Sequence, residues 1–143
     1  MTHRIQQLID TFRKKPRQLF FIDGLGALLT IFFLTIVLTT FQEYIGMPKK
    51  TLYFLSVIAV IYGIYSISCY FLNPRNWQPF LKIIAFANLA YCFITIVFIY
   101  YYFQNMTVLG LLYFFLELLV IFGLVAIELM VIFNQKNKQS IKS

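Results

Sequence analysis

Asp23, Glu117 and Glu128 are the residues from which chemistry is expected, because each is an acid set inside a long apolar run. On insertion scales an Asp, Lys or Arg at the centre of a membrane helix costs roughly 2.5–3.5 kcal/mol. An ionised glutamate is comparable. An acid kept at such a depth binds a proton, a cation or a hydrogen-bonding partner. Glu117 is the deepest of the three and is expected to bind a proton, a cation or a small cationic molecule. The plainer alternative is a protonated Glu117 that hydrogen-bonds to Asn88 or a tyrosine and only holds helices together.

Spacing gathers these groups on inward faces. Glu117 and Glu128 are eleven residues apart, and eleven helical steps return almost to the same face. Asp23 is followed by Gly24, Gly26, Ala27 and Thr30. Ser56, Ala59, Gly63 and Ser66 recur by threes and fours, as do Ala85, Asn88, Cys92 and Thr95. Membrane helices associate through such small and polar residues, since burying apolar groups away from lipid gains little. At a rise of about 1.5 Å per residue, Asp23, Ser66, Asn88 and Glu128 reach a common level about 8–12 Å below one surface. Lys82 and Arg75 lie nearer that surface as candidate counter-ions. The expected site is a polar pocket open to the cytoplasm, with Glu117 at its floor and Asn88, Glu128, Asp23, Ser66 and Lys82 along its approach.

The elements that position these residues follow from composition. Of 143 residues, 61% are hydrophobic and 12% charged, with a mean hydropathy of +0.80. Soluble domains are about 45–50% apolar and about 25% charged. A water-soluble enzyme domain, a disordered tail and a disulfide scaffold are therefore excluded. Apolar runs at about 18–41, 51–72, 80–103 and 107–133 each exceed the ~20 residues that cross a bilayer. The joins between them are short and carry Gly46, Pro48, Pro74 and Pro79, which makes sequential helices antiparallel neighbours. The expected class is all-α, a four-helix transmembrane bundle over residues 18–133. Ile5, Leu8, Ile9 and Phe12 follow helical spacing within the basic segment 1–17 and predict a short amphipathic helix on an anionic leaflet, ended by Pro16. Residues 134–143 read as a basic cytoplasmic tail.

The net charge of +7 is distributed unevenly. Lys49 and Lys50 stand alone on one side, and every other Lys and Arg falls on the opposite side. The positive-inside rule then places both termini in the cytoplasm, and the charges flank spans rather than bind nucleic acid. The first apolar run is too long for a cleaved signal peptide and reads as a retained span. Cys69 and Cys92 lie inside apolar runs at different depths and are not expected to pair. His3 is the single histidine, so bis-histidine haem is excluded, and no zinc spacing, P-loop or hydrolase motif occurs. No cofactor is expected.

Four spans and a membrane glutamate superficially resemble small multidrug exporters. Those carry the glutamate in the first span, whereas the mid-membrane Glu117 lies in the fourth, and the chain is not assigned to them. The general look is that of small bacterial inner-membrane proteins. The favoured reading is binding or transport of a proton, cation or cationic molecule through a membrane carboxylate. A non-catalytic adaptor or subunit is the alternative, and a membrane enzyme acting on lipid or isoprenoid substrates is less favoured. The lipid bilayer, a small ligand and a second copy or partner membrane protein are the expected partners.

Overall fold

In hydrocarbon, a single segment can satisfy its backbone polar groups internally only by coiling into a helix. All four apolar runs do so in the computed structural model, which describes residues 2–142. The amphipathic helix α1 (Thr2–Lys14) leads into the first crossing α2 (Arg17–Thr40). A short helix α3 (Gln42–Ile45) precedes the second crossing α4 (Lys49–Leu72). The third and fourth crossings are α5 (Gln78–Tyr102) and α6 (Val108–Lys142). The fold is an all-α four-helix bundle, with no strand among the described residues. Four helices are long and apolar enough to cross a membrane.

The last helix runs on through the basic segment 134–142. Lysine and glutamine there are good helix formers and no glycine or proline interrupts them. At 35 residues it spans about 52 Å, longer than the ~30 Å hydrocarbon core, so it must tilt or protrude.

The crossings pair unequally. α2 packs most extensively on α4, and α5 on α6, whereas α4 touches α5 less and α2 meets α6 little. Small residues explain the first pair. A Cβ placed on Gly24 would stand 2.9 Å from Ile67 Cγ1, and one on Gly63 would stand 3.2 Å from Ala27 Cβ. The sequence-predicted stripes do face inward: Ser56, Ala59, Ser66, Ala85, Cys92 and Thr95 are all buried. Cys69 and Cys92 are both free.

Threonine reshapes the far half of α2. Thr35 Oγ1 donates to the Ile31 carbonyl at 2.6 Å, Thr40 Oγ1 to the Ile36 carbonyl at 2.5 Å, and Thr39 Oγ1 to that of Thr35. Such back-bonding bends helices, and Phe33–Val37 forms a π turn.

The joins at the end of the bundle away from the termini are knitted together. Gly46 ends α3 in the left-handed region at φ 89°. Thr107 N–H donates to the Ile45 carbonyl at 3.1 Å, and Thr107 Oγ1 donates to that of Tyr44. Thr107 also caps α6, accepting from Gly110 N–H at 3.2 Å. At the other end, α1 lies across the bundle. Ile9 is buried with Leu19, Phe20, Leu81 and Val131, and Phe12 and Trp77 pack beside them. Ile5 and Leu8 remain exposed. The apolar face of α1 is therefore divided, half against the bundle and half exposed.

Candidate functional site

The polar groups meet along the seam between the α2/α4 pair and the α5/α6 pair. Asp23 of α2 is buried and accepts two hydrogen bonds, from Ser66 Oγ of α4 and from Asn88 Nδ2 of α5 at 2.8 Å. One carboxylate thus ties three crossings. Glu128 of α6 completes the level, with Asp23 and Asn88 as its polar neighbours. It is 0% exposed, and neither carboxyl oxygen has a hydrogen-bond partner among the described residues. Four of the six sequence-predicted site residues are therefore brought together at one depth.

Glu117 stands apart from this group, with different polar neighbours. Its Oε1 accepts from Tyr91 Oη at 3.1 Å, and Thr30 is a further polar neighbour. Its Oε2 is buried and without a partner among the described residues. Glu117 lines a cavity of about 360 Å³, together with Asp23, Thr30, Asn88, Tyr91 and Tyr113. The rest of that wall is apolar, including Ala27, Phe33, Ala59 and Leu124. A second cavity of about 180 Å³ lies across the seam and shares Asp23, Tyr62 and Asn88 with the first. These three residues form a partition between the two.

The opening differs from the sequence-based expectation of a mouth at the cytoplasm. Leu29, Leu116 and Val120 line the larger cavity while being 59%, 53% and 71% exposed. They belong to the outer surfaces of α2 and α6, two crossings that touch little, so the cavity opens sideways between them. An apolar cluster including Leu19, Phe20, Leu81, Ile84 and Val131 packs the core toward the termini. Another, including Leu34, Leu38, Tyr91 and Phe114, packs it toward the opposite end.

Lys82 does not join the site. It is exposed and lines neither cavity, because its position on α5 turns it away from the stripe that carries Ala85 and Asn88. Tyr91 is a site residue that the sequence analysis does not single out. Its position three residues after Asn88 puts it on the same face, which is the signal that could have found it. Tyr62 lacked any comparable signal, since its role as partition depends on how the two helix pairs meet.

Glu128 supports a direct prediction. A buried polar group without a partner costs about 1–3 kcal/mol, and an apolar group of the same shape removes that cost. Glu128→Met is expected to raise the thermal midpoint of the purified protein. A lower midpoint would mean that the carboxyl has a bound proton or cation network that stabilises the fold.

The chain matches no family model, no curated protein and no solved structure.

Proposed function

We propose that the protein binds a small lipophilic cation, taken from the bilayer, against the Glu117 carboxyl. The observation that carries this reading is the Glu117 side chain, with one carboxyl oxygen buried and unpartnered among the described residues, in the wall of a largely apolar cavity between α2 and α6. An apolar wall fits the body of such a molecule, and Glu117 supplies a counter-charge, while the second acid of the wall, Asp23, is engaged by Ser66 and Asn88. Ligand pockets commonly combine an apolar lining with few polar groups that fix orientation. Proton exchange at Glu117 would couple to arrival and release of the cation. Asp23, Tyr62 and Asn88 form the adjoining partition, with Glu128 beside Asp23 and Asn88, and a translocated proton or cation would pass through this level. With the positive-inside rule, the termini and the basic ends of α1 and α6 lie in the cytoplasm, in a bacterial inner membrane.

The test compares benzyltrimethylammonium with neopentylbenzene, a neutral molecule of the same shape, using the full chain in lipid nanodiscs. The cation is expected to bind more tightly, and equal affinities would overturn the reading. Gly26 provides a second arm. It lines the cavity, and a Cβ placed on it meets nothing within 4 Å. Gly26→Phe is therefore expected to fill the cavity and abolish cation binding while leaving the thermal midpoint unchanged. Full binding by this variant would place the ligand elsewhere.

A further inference from the structure

At the elbow where α1 turns into α2, Pro16 interrupts the chain and a cleft of about 400 Å³ forms. Lys14, Lys15 and Arg17 line it, with Gln18, Phe21, Tyr70 and Asn73. No acidic residue contributes to the wall. None of the three cations forms an ion pair among the described residues, whereas Arg13 next to them is paired with Asp10 at 3.2 Å. Like charges gathered without a counter-charge repel one another, and an anion bound among them relieves this.

Arg17 is held in place for such a role. Its Nε donates to the Tyr70 carbonyl at 2.9 Å, and its guanidinium lies 4.3 Å from the Tyr70 ring centroid. Stacking and a backbone hydrogen bond fix the planar group and leave its other donors for a ligand. Arginine held this way presents a rigid fork suited to phosphate.

Below the cations the surface becomes apolar. Phe21 packs on Tyr70 with ring centroids 5.2 Å apart, and Phe71 and Leu72 next to them are exposed. Phe21 and Tyr70 lie inside the first and second apolar crossings, so this wall faces acyl chains. Three unpaired cations above an apolar wall match a molecule with an anionic head and a hydrocarbon tail. We propose that this cleft is a specific site for the phosphate of an anionic phospholipid, separate from the Glu117 cavity and independent of its ligand.

Free phosphate shares the head chemistry but gains nothing from the apolar wall, and the experiment distinguishes the two sources. The delipidated full chain in neutral detergent is titrated with phosphatidylglycerol, phosphatidylcholine or inorganic phosphate, and read by native mass spectrometry and thermal midpoint. Phosphatidylglycerol is expected to give a one-to-one adduct and a raised midpoint at concentrations where the other two do neither. The Lys14→Gln/Lys15→Gln variant, altered at two exposed side chains, is expected to weaken that adduct about tenfold or more. The Lys136→Gln/Lys138→Gln variant removes the same charge from the far end of α6 and is expected to retain it. Equal binding of phosphatidylcholine, equal binding of inorganic phosphate, or equal loss in the two double variants would each overturn the proposal.

Discussion

Glu117→Gln is expected to weaken benzyltrimethylammonium binding at least about tenfold, equivalent to about 1.4 kcal/mol, and to leave neopentylbenzene binding unchanged. Glutamine keeps the volume of the side chain and can still accept from Tyr91, whose hydroxyl is the donor at 3.1 Å. What it removes is the negative charge at the unpaired oxygen. In a low-dielectric cavity a counter-charge acts with little screening by water. Glu117→Asp retains the charge but withdraws it by one methylene, and should fall between the two. The thermal midpoint without ligand should stay the same or rise in Glu117→Gln, because a neutral amide is easier to bury. Unchanged cation affinity in a folded Glu117→Gln protein would sink the binding role of this acid and favour the adaptor reading.

Gly46→Ala carries the largest expected loss of stability. Gly46 sits at φ 89°, where a side chain costs roughly 1–2 kcal/mol. Its Cβ would also drive into the Asn105 carbonyl and stand 2.7 Å from Met106 Cα. Both obstacles are backbone atoms of the join between α5 and α6, which cannot swing aside as a side chain can. The combined cost is about 3 kcal/mol or more, in the range reserved for special backbone positions and overpacking. Gly123→Ala is the matched control. A Cβ there meets nothing within 4 Å, and replacing a mid-helix glycine by alanine stabilises by roughly 0.5–1 kcal/mol. Thermal midpoints of the two variants in the same nanodiscs decide the matter. Gly46→Ala melting at or above Gly123→Ala would show that the join yields.

The four crossings were legible because run length alone fixes them: the helices begin and end close to the apolar boundaries set by Gly46, Pro48, Pro74 and the turn at 103–105. The inward stripes were legible for the same reason, since Ser66, Asn88 and Asp23 recur on faces that must find partners in an apolar solvent. Ser66 and Asn88 both donate to Asp23, so these three groups meet on one level of the bundle. The end of α6 was less legible, because a hydropathy boundary at Phe133 is not a helix stop. The side opening could not be read at all. It depends on how closely each pair of helices approaches, and that is decided by single contacts such as Gly24 on Ile67 and Ala27 on Gly63, which draw α2 toward α4 and away from α6. Lys82 was assigned by depth without regard to its direction around α5.

If the cavity binds a lipophilic cation as proposed, the lateral mouth bounded by Leu29, Leu116 and Val120 has a pharmacological corollary. Occupancy of a site filled from within the membrane follows the amount of compound dissolved per mole of lipid, and the aqueous dose matters only through partitioning. Two cations with equal intrinsic fit would then show different apparent potencies in proportion to their solubility in hydrocarbon. Ranking ligands by bulk concentration would order them by greasiness, so titrations need to be repeated at several lipid-to-water ratios.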